Sequence, residues 1–380
     1  MTEKKRHSLT DIPGECGFAG SKPPVDSKCP VARYRSEFVP SRLLDEARSG
    51  WFPRGIRHCI GCELCSPDAD ASFPACADRL LAAGGRREGF IPRAFGGALD
   101  VVVELQIRQT EKQNRLNWLT RDNHVASESA SGRYALFVGC APYYDVLLAD
   151  QIGFKATDEI RNAVKLMNSV GVKPVVLEDE VCCGGDRLHA GDYDGFIALG
   201  TRNRDLLKER GVEVVVTACD DCRYTLANRY PGRIPGWDFE VVRLADFLVQ
   251  RGGRLAFMPT PEVVCIQPPD RYSDPEGMES VRKLLRTVPE LVVREMEEGH
   301  PSTFGNWAQF DNVSKRLETD FLKAAQCATA PTVLIPGTRM HVRLLEGRRP
   351  GSWEETSIEI KGLYSFLAER HTVREEFTGA

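Results

Sequence analysis

The sequence predicts an α+β multidomain chain. An α-helical N-terminal domain over residues 1–124 is followed by two similar α/β halves with parallel sheets, residues 133–252 and 253–380, the second without the cysteines of the first. Three observations carry this. From Arg133 onward, short apolar runs alternate with helical periods, the pattern of right-handed strand–helix–strand crossovers. The same order recurs, more weakly, after residue 253. Eleven of the 13 cysteines fall within the first 222 residues, an uneven placement that marks sites rather than core filler.

Within the first 124 residues strand signal is scarce, and SEFVPSRLLDEARSGW reads as a short helix with Leu43, Leu44 and Ala47 on one face. HVASESASGR, from His124, is small and polar and reads as a linker. YALFVGC is then a buried strand ending at Cys140. DEIRNAVKLMNSVG places Ile160, Ala163, Val164 and Met167 at helical spacing, with Gly171 just past the end. KPVVLEDE predicts a second strand, ending just before Cys182. YDGFIALGTRNRDLLKERG predicts a second helix stopped by Gly211, and VEVVVTAC a third strand ending at Cys219. The second half repeats this order with EVVCIQ, ESVRKLLRTV, LVVREME, VSKRLETDFLKAA and TVLIPG.

Composition bounds the function. A chain of 380 residues, 42% hydrophobic and 27% charged, is that of an ordinary soluble protein. A net charge of -4 argues against nucleic acid or an anionic membrane as the main partner. The start, MTEKKRHSLTDIPGE, carries no secretory h-region, and no run reaches the ~18 to 20 apolar residues that span a bilayer. Direct membrane insertion is therefore not expected. In a reducing compartment, clustered cysteines point to metal binding or redox chemistry rather than disulfides.

In open parallel sheets, ligand sites form beyond the carboxyl ends of the strands. Cys140, Cys182–Cys183 and Cys219 occupy three such ends, and Cys222 adds the second thiol of CDDC. Five soft thiolates in one place suit an iron–sulfur cluster better than one tetrahedral zinc ion, which takes four ligands. Gly184 and Gly185 let backbone approach closely and leave amides free to meet sulfur.

GC at 139–140, CCGG at 182–185 and CDDC at 219–222 resemble the cysteine-rich "CCG" domain of heterodisulfide reductase subunits and related electron-transfer subunits. The text between them, KLMNSVGVKPVVLEDEVCCGG and LLKERGVEVVVTACDDCRYTL, resembles the family as well. The resemblance implies a noncubane [4Fe–4S] cluster on Cys140, Cys182, Cys183, Cys219 and Cys222. The second half departs from the family. Pro269 stands where its first cysteine would be, Thr303 and Phe304 precede Gly305 in place of CCG, and Gly337 and Met340 replace CxxC. This half is expected to keep the fold and lose the metal, with Cys265 and Cys327 as buried filler.

The N-terminal CIGCELC gives Cys59, Cys62 and Cys65 the C-x2-C-x2-C spacing of a [4Fe–4S] cubane. Cys29, in the chain's CP dipeptide, is the expected fourth ligand, because the text up to Cys59 resembles the linker helix of the family's α-helical ferredoxin domains; Cys76 is the local alternative. Cys16 and Cys76 read as remnants of a second ferredoxin motif. Zinc is the bland alternative for this group. EKQNRLNW, at 111–118, resembles a segment that precedes the cysteine-rich domain in fused chains. His58 and His189 lie near proposed ligands, His341 reads as structural, and Trp51 and Trp118 read as packing residues. No GxGxxG follows a strand and no P-loop occurs, so no nucleotide site is expected.

The expected function is an iron–sulfur electron-transfer subunit of a heterodisulfide reductase-like complex, relaying electrons between the cubane and the CCG site. The resemblance implies partners such as a flavoprotein, another iron–sulfur subunit or a membrane quinone-reacting subunit. The location would be cytoplasmic, with peripheral attachment to the membrane through a partner. One rival is a thiol–disulfide reductase acting at the CCG cluster, which needs an open pocket beside Cys182 and Cys183. The other is a zinc-bound interaction module.

Overall fold

Two parallel sheets organise the chain in a computed structural model that describes residues 26–49, 51–59, 97–108, 115–120, 127, 131–189, 192–251, 255–267, 275–296, 312–347 and 358–372. The regular structure of the described N-terminal residues is helical apart from a bridge at Trp51. Prolines open α1 (Pro30–Tyr34) and α2 (Pro40–Arg48), where a missing N–H costs nothing. As the sequence predicts, α2 buries Leu43, Leu44 and Ala47. That face meets Leu317, Phe321 and Met340 of the C-terminal half in one apolar cluster. At ~1.5–3 kcal/mol for each large side chain fully buried, this contact anchors residues 26–59 to that half. Helices α3 (Ala98–Arg108) and α4 (Asn117–Thr120) lie elsewhere, packed on the first α/β half through Leu99, Val103 and Trp118. The described parts of residues 1–124 thus divide between the two halves.

The first half contains β1 (Tyr134–Phe137), α5 (Ala141–Ile152), α6 (Ala156–Ser169), α7 (Gly185–His189), α8 (Tyr193–Glu209), β2 (Val214–Thr217), α9 (Asp220–Tyr224), β3 (Glu240–Arg243) and α10 (Leu244–Gln250). Its sheet has the order β1-β2-β3, all parallel, with Tyr134 opposite Val214 and Val214 opposite Glu240. The strand expected at KPVVLEDE shrinks to one parallel bridge, Ala135 to Val175. Val175 N donates to Tyr134 O and Leu136 N to Val175 O. Pro174 removes the donor on one side of that bridge. On the other, the carboxylate of Glu180 accepts from Val138 N (3.0 Å) and Gly139 N (2.7 Å), so a side chain replaces the ladder.

The second half contains β4 (Val263–Ile266), α11 (Pro275–Leu285), β5 (Val292–Glu295), α12 (Asn312–Cys327), β6 (Thr332–Ile335), α13 (Thr338–Gly347), β7 (Glu359–Gly362) and α14 (Leu363–Arg370). Its sheet order is β5-β4-β6-β7, again parallel. With the Val175 bridge counted as an edge, the first sheet has the same order. In each, the last strand runs straight into a helix, β3 into α10 and β7 into α14. Those terminal helices are exchanged: α14 packs on α6 of the first half and α10 on α11 of the second. Ile160, Met167, Phe247, Leu284, Phe366 and Leu367 therefore share one core. Buried polar contacts hold the junction. Across the halves, Glu159 accepts from the amides of Tyr364 (2.7 Å) and Ser365 (3.0 Å). Within the first half, Arg243 Nε donates to Asp220 Oδ1 at 2.6 Å and so ties the start of α10 to α9.

Candidate metal centre

The carboxyl ends of β1 and β2 deliver the first and last thiols. Beyond β1, Gly139 turns the chain with φ 65° and Cys140 takes the N-cap of α5. Beyond β2, Cys219 takes the N-cap of α9 and Cys222 lies in its first turn. The Cys182–Cys183 loop enters between them, followed by Gly184 with φ 74°. Gly139 is required by space as well as by conformation, since a Cβ there would lie 2.9 Å from Cys222 Sγ. At Gly185 the constraint is space alone: a Cβ would lie 2.8 Å from Thr225 Oγ1.

The five thiols predicted from the sequence come together in one pocket. Cys140 Sγ lies 3.6 Å from Cys182 Sγ, Cys182 also accepts a hydrogen bond from Cys183, and Cys222 contacts both Cys183 and Cys219. Gly184 N points at Cys182 Sγ at 3.4 Å. The consequence is an asymmetric set of thiols. Cys182 is held well below the ordinary thiol range, chiefly by the hydrogen bonds from Cys140 and Cys183, helped by the Gly184 amide and the Arg339 charge. Cys140 and Cys183 are pushed well up because each donates a hydrogen bond to the Cys182 sulfur and so holds its own proton, and Cys222 is pushed up by its contacts with Cys183 and Cys219. Cys182, Cys183 and Cys222 are buried, Cys140 and Cys219 half-buried. Among the described residues, no three His, Cys, Asp or Glu are spaced around a single ion.

A polar shell that the sequence reading missed holds these loops. Arg115 donates to the carbonyls of Glu180 and Gly139, and its guanidinium lies over the Tyr143 ring at 5.1 Å. The Arg115–Glu180 pair is buried, and burial raises the Glu180 carboxyl to about 7 against the pull of Arg115. Gln106, from α3, accepts from Cys182 N at 3.0 Å and donates to Tyr143 Oη. Asn203, inside α8, accepts from Val181 N at 3.0 Å and donates to the carbonyls of Val181 and Cys182. Tyr230 Oη donates to Cys183 O at 3.0 Å. The second half contributes Thr338 and Arg339, at the start of α13, to the wall of the pocket.

The N-terminal candidates are only partly visible. Cys29 is buried at the N-cap of α1, and Cys59, half-buried, follows the turn Arg54–His58. Both lie against the same apolar cluster of the second half, and desolvation raises the Cys29 thiol. Cys16, Cys62, Cys65 and Cys76 lie outside the described residues, as do Pro269, Thr303, Phe304 and Gly305. Of the two cysteines expected as filler, Cys265 is buried within β4, with its thiol raised to about 11 by desolvation. Cys327 is exposed, because α12 ends there at the surface, and it fills no core. His341 is buried against Phe154, and desolvation lowers it to about 4. Trp118 is in the α/β core and Trp51 is exposed. His58 is half-buried, and the side chain of His189 lies outside the described set.

Comparison with known proteins places this geometry. An uncharacterized iron-sulfur protein of Methanococcus maripaludis is 22% identical over 298 residues, covering 71% of this chain and 54% of the relative. One of the subunits of the fumarate reductase (CoM/CoB) of Methanothermobacter marburgensis is 23% identical over 288 residues, covering 71% of this chain and 55% of that subunit. The chain thus spans about half the length of these relatives. A crystal structure of a hypothetical protein from Helicobacter pylori aligns over 88% of this chain and 74% of that one, with a TM-score of 0.45 and 14% identity. The family model of the CCG cysteine-rich domain matches residues 134–227, the stretch from β1 through α9 that carries all five thiols. It is this stretch, and not the chain as a whole, that is similar to the CCG cysteine-rich domain.

Proposed function

We propose that the chain is an electron-transfer subunit of a heterodisulfide reductase-like oxidoreductase complex, holding an iron–sulfur cluster on Cys140, Cys182, Cys183, Cys219 and Cys222. The observation that carries this reading is the convergence of these five thiols, from three separate loops, in one pocket. The donor set fits. The ligands are all sulfur, and glycines stand where a Cβ would collide with Cys222 or Thr225. The cluster is taken to be a noncubane [4Fe–4S]. A second, cubane [4Fe–4S] site is proposed on Cys29, Cys59, Cys62 and Cys65, with Cys76 as the alternative fourth ligand. The relatives named as iron-sulfur proteins, and as part of a reductase, support the same reading.

A bound iron–sulfur cluster supplies reversible one-electron transfer. The residues of this chain supply the rest. Gly184 N and Arg339 stabilise negative charge on Cys182, while burial of Cys182, Cys183 and Cys222 keeps water from the sulfurs. Gln106, Arg115 and Asn203 fix the loops that carry the ligands. Cys182 and Cys183 are only 3% and 6% exposed, which favours a relay over a disulfide-cleaving site that must admit a substrate sulfur. Partners would be a flavoprotein, another iron–sulfur subunit or a quinone-reacting membrane subunit. Among the described residues, no helix is long and apolar enough to cross a membrane. Attachment through such a partner, on the cytoplasmic side, would be peripheral.

The test is anaerobic iron, sulfide and zinc analysis with EPR, beside Cys183→Ser. About eight irons per chain, with one of two signals lost in the variant, is the expected result. Four irons with no change in the variant, or zinc in place of iron, overturns the proposal.

A further inference from the structure

Within the lost CxxC of the second half, GTRM, one residue reaches back into the other half. Arg339 Nη1 lies 2.8 Å from Asp186 Oδ1 and 3.8 Å from Asp221 Oδ1, with its side chain 10% exposed. The two carboxylates belong to different cysteine loops. Asp186 closes CCGGD, and Asp221 lies between Cys219 and Cys222. Arg339 takes the same place within GTRM that Asp221 takes within CDDC, so the two motifs meet with opposite charge. The start of α13 is held there by Thr338 Oγ1, which donates to Ala218 O at 3.4 Å. Among the described residues lining the thiol pocket, Arg339 is the only cation.

We infer that Arg339 is a positioning residue for the thiol site. It clasps the CCGGD and CDDC loops at the spacing the sulfurs need, and it offsets the two carboxylates beside them. The half that lost its own cysteines thus completes the site of the half that kept them. The inference rests on the cluster reading above for its redox consequence, and on geometry alone for the clasp. Two carboxylates left without their guanidinium would oppose the arrival of an electron nearby, so the potential must fall when Arg339 is neutralised. Neutralising Asp221 must raise it.

The experiment is an EPR-monitored redox titration of the loaded chain in four variants: Arg339→Gln, Arg339→Lys, Asp221→Asn and Arg343→Gln. Arg343 is the control, a largely buried cation paired with Glu318 and Glu346 inside its own half. The CCG signal should move to a more negative potential in Arg339→Gln and to a more positive one in Asp221→Asn. Lysine should restore part of the potential, while the control and the N-terminal signal should stay put. Alongside, the metal-free chain is treated with iodoacetamide, and labelling of Cys183 is followed by mass spectrometry. Several-fold faster labelling in Arg339→Gln is expected, as the loops part. An unmoved potential together with unmoved labelling in Arg339→Gln overturns the clasp and leaves the cluster reading standing. A wild-type chain that takes no iron at this site overturns the cluster reading, and labelling of the metal-free variants then decides the clasp by itself.

Discussion

Gly139 shows how tightly single positions of the site are set. It has φ 65°, and a Cβ there would press on Cys222 Sγ. Gly153, at the C-cap of α5, has nearly the same φ, 66°, but nothing within 4 Å of a Cβ. Comparing the two separates backbone strain from crowding of sulfur. An alanine in the left-handed region costs about 1–2 kcal/mol by itself. Gly153→Ala should lose that amount in denaturant unfolding of the metal-free chain and should still load iron normally. Gly139→Ala should lose more than that and should load less iron, because Cys222 must move. Equal losses and equal loading would mean that the sulfurs tolerate displacement, contrary to the packing. The cysteines at this scale were legible in the sequence because thiols are scarce and their spacing is distinctive. Arg339, Asn203 and Gln106 were not. A polar residue that reaches across an interface leaves no local period to read.

At the scale of elements, α3 binds the N-terminal segment to the CCG half. Its Gln106 is buried, and it serves Cys182 N and Tyr143 Oη together. Arg187 adds a bond to Asp100 O at 2.8 Å on the same helix. Gln106→Ala leaves the amide of Cys182 buried without its acceptor, a loss of about 1–3 kcal/mol. The expected outcome is that much destabilisation in urea, with faster hydrogen exchange at Cys182. Unchanged exchange at that amide would show that α3 does not hold the loop. The sequence placed α2, α6, α8, β2, β4, β5 and β6 well, since each carries an apolar run or period. It missed α5, whose buried Ala141, Tyr144 and Leu148 are interrupted by Val146, 84% exposed. It missed β3 with α10 and β7 with α14, which run strand into helix with no turn signal between them. It also drew a strand at KPVVLEDE, where apolar content is right but Pro174 and the inward carboxylate of Glu180 end the ladder after one bridge.

At the scale of the molecule, the two halves are held together by exchanged helices, and Glu159 is the buried group that reports on the exchange. Its carboxylate, on α6, caps the start of α14 through the amides of Tyr364 and Ser365 and the Ser365 hydroxyl. Gly362 lies so close that a Cβ there would overlap the carboxylate. Burial outweighs these hydrogen bonds and raises the Glu159 carboxyl from 4.5 to about 7. The folded state therefore binds this proton more tightly than the unfolded state does. The stability it contributes is complete below pH 4.5 and is lost as pH rises through about 7. A shift of this size corresponds to a loss on the order of 3 kcal/mol across that window. Glu159→Gln cannot ionise, so its unfolding free energy should fall less than that of the natural chain between pH 5 and pH 8. Urea unfolding of both metal-free chains at the two pH values measures the difference directly. If the two chains lose the same stability over this range, Glu159 is ionised in the fold throughout, and the junction between the halves is better solvated than its burial implies.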